Sequence, residues 1–227
     1  MKNKMERLAG FKTIYGLALL LTPLMLIIIS CDSAPDDIKA ERYQADLKSV
    51  NSEITGFSPE GAAKVYIEGD SVTITVTMSN VPPGIMHLQH IHGFLDDKTA
   101  VCPTMAQDTT GDSIIDLIET EQVAGKTLIP FHDNPATMKI AAANYPTADS
   151  LGTYSYSKIM LLSELKAGLK EQFGIEKPDW EKRVIFIHGV DTSMALPTTV
   201  QSLPDVPAQV TIPIACGKFT AVLEEAY

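Results

Sequence analysis

The chain has 227 residues, 45% of them hydrophobic, which is enough for one domain with a real core; 28 acidic side chains against 18 basic ones give a net charge of −10. That balance excludes unspecific attraction to nucleic acid or to anionic membrane faces, which needs a basic patch. No phosphate-binding loop, nucleotide fingerprint or catalytic serine or cysteine arrangement occurs along it, so no catalytic residue is assigned.

Lys2, Lys4, Arg7 and Lys12 accompany a nearly unbroken apolar run from Ile14 to Ile29. Basic charge running into an apolar stretch reads as an export signal rather than as part of a fold. The run ends in Ile28-Ile29-Ser30-Cys31, with a branched apolar residue three places before cysteine and a small one just before it, which resembles the bacterial lipobox. The resemblance implies that 1–30 is a signal peptide, cut after Ser30, and that Cys31 takes the lipid of a lipoprotein. A spanning anchor of minimum length is the alternative. Pro23 and the polar Asp32-Ser33-Ala34-Pro35-Asp36-Asp37 suit cleavage and a tether over 31–42 better, with a domain from 43 to 227. The protein is then exported to the cell envelope, with a membrane as its partner through Cys31. Four basic residues and one acidic residue leave with the signal, so the remainder carries 27 acidic and 14 basic side chains, a net charge of −13.

Strands follow. Ala63, Val65 and Ile67 alternate with polar residues, then Val72, Ile74, Val76 and Met78 alternate with Thr73, Thr75 and Thr77, and Glu68-Gly69-Asp70 between them reads as a hairpin turn. Val81-Pro82-Pro83-Gly84 breaks the pattern before another strand-like stretch from Met86 to Gly93. Here His90 and His92 project side by side while His87 turns to the other face, because residues two apart in a strand point the same way. Two imidazoles on one face can chelate one ion.

An acidic segment comes next. Asp108, Thr110, Asp112, Asp116 and Glu119 place oxygen donors at loop positions one, three, five, nine and twelve, and Ile114 offers a backbone carbonyl at seven. That is the spacing of an EF-hand-like calcium loop, with Ser113 where a glycine is usual, so calcium is an expected ligand; a solvated acidic turn is the alternative. Leu165, Leu169 and Phe173 recur every four residues, so a helix is expected from Ser163 to Phe173, with Gly174 as its cap. Arg183 to Gly189 and Ala208 to Val222 again read as strands. In the first, Val184, Phe186 and His188 share a face, and strand pairing can bring His188 beside His90 and His92. Imidazoles suit copper, zinc, iron or nickel. Many short strands with Pro and Gly turns argue for an all-β fold, an antiparallel Greek-key sandwich or flattened barrel with long inserted loops and one short helix.

With Cys31 assigned to lipid, Cys102 and Cys216 remain. An oxidising compartment would join them, and two buried thiols are the alternative.

In order along the chain, Pro83-Gly84-Ile85-Met86-His87 running into His90-Ile91-His92, then Cys102, then Arg183-Val184-Ile185-Phe186-Ile187-His188, then Ile214-Ala215-Cys216-Gly217 resembles the copper–zinc superoxide dismutase pattern. It spans about 45–222, with long insertions between Cys102 and Lys182. The chordin-type (CHRD) domain, which carries a similar His-Ile-His-Gly strand, is similar through about 45–93. The resemblance implies that His90, His92 and His188 hold copper, that His132, in Pro130-Phe131-His132-Asp133, is the bridging histidine, and that Cys102 and Cys216 form the family's disulfide. The chain departs from the family twice. Five histidines leave none for a zinc subsite, so zinc is not expected, and Pro213 stands where the family has a guiding arginine. Lys218 is the nearest cation in sequence. These readings point to a lipid-anchored envelope protein that binds copper without turning over a substrate, or alternatively to a copper-dependent superoxide dismutase hampered by an acidic surface.

Overall fold

A computed structural model describes residues 40–140 and 144–223, all of them in one unit that begins at Ile38. The signal segment, Cys31 and the expected tether up to residue 39 lie outside the described residues. Among the described residues no helix is long and apolar enough to cross a membrane.

The fold is all-β, as the alternation implies. β1 (Glu41–Ser49), β2 (Glu60–Glu68) and β3 (Ser71–Ser79) form an antiparallel meander, and Gly69 takes a positive φ of 58° in the tight turn between the last two. β4 (Gln89–Gly93), β5 (Lys126–Pro130), β6 (Tyr154–Leu161), β7 (Val184–His188), β8 (Pro213–Lys218) and the short β9 (Thr220–Ala221) complete nine strands. The strand order is β5-β4-β7-β8-β1-β2-β3-β6, with β9 also on β1, and the sheet curls into a half-barrel. β8 returns to lie beside β1 and so gives a β8-β1-β2-β3 run of the Greek-key kind. Among the described residues four α-helices punctuate it: α1 (Ser52–Thr55), α2 (Leu117–Ala124), α3 (Leu162–Phe173) and α4 (Ala208–Thr211).

Several boundaries differ from the sequence reading. β1 begins at Glu41, inside the span expected as tether. The strand expected from Met86 starts only at Gln89, because His87 is drawn into backbone bonds of its own. The strand expected from Ala208 opens instead as the single turn α4. The middle of the chain, expected as insertions, supplies β5 and β6. In β6 the inward positions are Tyr154, Tyr156, Lys158 and Met160, whose polar ends blur the alternation of apolar and polar residues. The helix over 163–173 is present as α3, capped by Gly174 in the left-handed region, with Leu165 and Leu169 fully buried.

The inner face of the sheet holds the main core. Ala45 and Leu47 of β1, Ala63 and Val65 of β2, Val72, Ile74 and Val76 of β3, Ile91 of β4 and Ile185 and Ile187 of β7 all join it. β4 and β7 are buried on both faces, a pattern that requires cover on the outside too. That cover is a second, smaller core in which Val184, Phe186 and Cys216 pack with Ala100 and Ala124, against Phe94 and Cys102. Cys102 and Cys216 are joined in a disulfide with 5.8 Å between their Cα atoms, which pins the covering segment to β8.

The bond closes a loop across a sequence separation of 114 residues. Replacing both cysteines by serine should therefore lower the unfolding free energy by about 2–5 kcal/mol, read as a lower urea midpoint.

Candidate metal centre

The outer face of β4 and β7 carries the chemistry. β4 and β7 pair antiparallel, with His90 opposite Phe186 and His92 opposite Val184, so the imidazoles of His90 and His92 share a face with Phe186 and His188. The His188 N–H donates to the Leu88 carbonyl at 2.8 Å, which sets its ring next to His90. Ring centroids lie 4.6 Å apart for His90 and His188, 5.1 Å for His90 and His92, and 6.2 Å for His92 and His188. Bulges fall beside the group in both neighbouring ladders, between Ile91 and His92 and between Ile187 and His188. Such bulges re-aim side chains. In the second one His188 faces Pro213, which has no N–H to give to a ladder.

One nitrogen from each of His90, His92 and His188 lies within 4.8 Å of the others, and all three residues are buried. Backbone acceptors fix which nitrogens face inward. Nδ1 of His92 is 3.2 Å from the Gly125 carbonyl, and Nδ1 of His188 is 2.6 Å from the Thr211 carbonyl. A carbonyl only accepts, so each Nδ1 carries the proton and each Nε2 keeps its lone pair. Nδ1 of His90 lies 3.1 Å from Nε2 of His92. With metal–nitrogen bonds of about 2.0–2.1 Å, two ligands on one ion stand about 2.9 Å apart at a right angle and about 3.4 Å at the tetrahedral angle. The observed spacing falls between these. His188 Nε2 is one of two buried side-chain polar atoms among the described residues with no hydrogen-bond partner. A buried lone pair without a donor costs free energy, and a cation is one way to satisfy it.

Burial pushes all three imidazoles toward the neutral form that a ligand requires. Desolvation and the neighbouring histidines hold His90 well below its usual value; burial, with His188 alongside, lowers His92 to about 3; burial lowers His188 to about 4.

The remaining sequence candidates are placed otherwise. His132 stands apart from the group, contrary to its expected bridging role: its Nε2 donates to the Lys139 carbonyl at 2.8 Å, its Nδ1 accepts the Asn134 N–H at 3.0 Å, and its ring packs edge-on against Tyr145. His87, for which no special role is expected, is wholly buried, with Nδ1 3.0 Å from the His188 carbonyl and Nε2 2.9 Å from the Pro82 carbonyl, one of which accepts its single ring N–H, and it stacks on Tyr154. It braces the turn that carries His188. Lys218 is exposed and sits opposite Val184, at the other end of β7 from His188.

The acidic segment makes the turn of a calcium loop without its cage. Ser113 adopts the left-handed φ of 68°, but the carboxylates face amides rather than a common centre. Asp108 accepts Gly111 and Ser113 N–H groups and the Thr110 hydroxyl; Asp112 accepts the Ile114 N–H and the Thr199 hydroxyl. Asp116 caps α2 by accepting from the Ile118 and Glu119 N–H groups, and Glu119 answers by accepting from the Asp116, Thr109 and Thr110 N–H groups. This reciprocal capping box accounts for the pair Asp116 and Glu119, and the Ile114 side chain is buried in the main core. Among the described residues the three histidines are the group that brings ligand atoms together.

Three contributors went unread in the sequence. The Gly125 and Thr211 carbonyls belong to the backbone and leave no residue signal, although Gly125 could have been found as the glycine that ends α2. It takes φ 73° with ψ −157°, a region open only to glycine, and an added Cβ would meet the Gly93 carbonyl. Thr127, whose hydroxyl lies 3.1 Å from Nε2 of His92, had no neighbour in sequence to mark it.

No protein-family model matches the chain, and no curated protein is similar to it. Among solved structures it is similar to a Cu/Zn superoxide dismutase from Brucella abortus, with 14% identity and a TM-score of 0.35 over 78% of this chain and 99% of that one. That is a distant likeness of fold.

Histidines held neutral in the fold bind fewer protons than in the unfolded chain, so stability is full above about pH 6.5, the unfolded value, and falls as pH drops toward the folded values. Melting temperature should therefore decline from pH 7 to pH 5, and the decline should become shallower when His188 is replaced by Gln.

Proposed function

We propose that the protein is an envelope domain that holds a transition-metal ion, copper by preference, on His90, His92 and His188. The single observation that carries this reading is the buried His188 Nε2, unpartnered and within 4.8 Å of ligand nitrogens from the other two histidines. Three imidazoles suit copper and also zinc, and copper stands highest in the general affinity order for such donors. The protein's part is to keep three rings neutral, oriented by carbonyls and shielded from water. A bound ion would supply Lewis acidity and, for copper, a second oxidation state.

Storage or sensing of metal is favoured over turnover of superoxide. The rings are between 1% and 4% exposed, Pro213 rather than a cation faces His188, and an acidic surface repels an anionic substrate. No second metal subsite forms among the described residues. Attachment to a membrane through lipid on Cys31 completes the proposal and rests on the lipobox-like sequence and the short polar stretch behind it.

Two experiments test it. Copper titration of the mature chain should show one site per molecule, lost or weakened by at least about tenfold in His188→Ala, since even loss of a group that merely orients a ligand costs that much. His132→Gln should bind as the native chain does, and superoxide turnover by the loaded protein should be weak or absent. Equal binding by native chain and His188→Ala overturns the site. In cells fed a fatty-acid probe, Cys31→Ala should lose all label, and equal label on the mutant overturns the anchor.

A further inference from the structure

Because of the bulge in β4, Thr127 of β5 stands opposite His92. Its Oγ1 lies 3.1 Å from Nε2 of His92, the atom that also lies 3.1 Å from Nδ1 of His90. That nitrogen has one lone pair, because the ring proton is on Nδ1 and directed at Gly125. Two groups therefore compete to donate to a single acceptor. When the hydroxyl donates, His90 no longer needs a proton on Nδ1, and its lone pair can also point into the group. One hydroxyl hydrogen thus lets three neutral imidazoles converge on one centre.

Thr127 differs from the imidazoles in one further respect: they are buried, whereas Thr127 is only partly so. Three protein ligands leave a fourth position open, and among the described residues no other His, Cys, Asp or Glu joins the group. We infer that Thr127 serves that fourth position. Its hydroxyl lies on the His92 lone pair, and if an ion were held by that lone pair the same hydroxyl would be free to hydrogen-bond a small exogenous ligand there, water or an anion. The inference rests on the metal site proposed above.

Azide is the probe. The mature native chain, Thr127→Val and Thr127→Ser are loaded with copper(II) and titrated with azide, followed by the azide-to-copper absorption band and by electron paramagnetic resonance. Valine keeps the shape of threonine and removes the hydroxyl, while the three imidazole ligands stay in place, so Thr127→Val should still take up copper. Its azide affinity should fall about three- to tenfold, the measure of one hydrogen bond. Thr127→Ser should restore both azide affinity and the native spectrum. Native azide affinity in Thr127→Val overturns the role of Thr127 and leaves the metal site standing. Loss of copper from Thr127→Val and Thr127→Ser alike makes Thr127 a packing residue and overturns the inference as well. If the native chain itself takes up no copper, the metal reading fails, and this inference fails with it.

Discussion

The centre depends on two backbone carbonyls. Gly125 and Thr211 each accept an imidazole Nδ1 proton and so leave the Nε2 lone pairs of His92 and His188 facing each other in a dry interior. Without those acceptors either ring could turn over or change tautomer, and the shared face of β4 and β7 would carry three histidines with no common direction. The two carbonyls come from different parts of the chain, the end of α2 and the end of α4. The site is therefore a product of the closed fold and cannot form in an isolated hairpin.

The disulfide and the second core serve the same end. A sheet with water on its outer face would hydrate the imidazoles and let them charge. Here Phe186 packs edge-on against His92 at 4.8 Å, and Ala100, Ala124 and the Cys102–Cys216 bond close over the strands that carry the rings. Desolvation is the largest cause of the lowered proton affinity at each of the three histidines. The covering segment accordingly does as much as the strands to define the chemistry.

Much of this was legible in the residues. Period-two alternation gave β2 and β3, and the two-residue offset of His90 and His92 placed them on one face. The shared face of Val184, Phe186 and His188 was likewise correct, because buried strands leave no freedom of register. Where the structure and the sequence reading part, the reasons are physical. His132 sits in a loop, where no periodicity dictates direction, and nearby backbone groups took both its nitrogens. The acidic loop matched a ligand spacing that a capping box also satisfies, since both need carboxylates one turn apart at a helix start. β6 was missed because tyrosine, lysine and methionine bury their stems while keeping polar or flexible ends.

The depth at which the three rings lie also bears on time. A group between 1% and 4% exposed is reached only when the segment over it breathes, so an ion would enter and leave at the rate of that local opening rather than at the rate of diffusion. The disulfide, by holding the segment to β8, restrains such openings. The residence time of an ion held there would thus depend on a covalent bond that supplies no ligand.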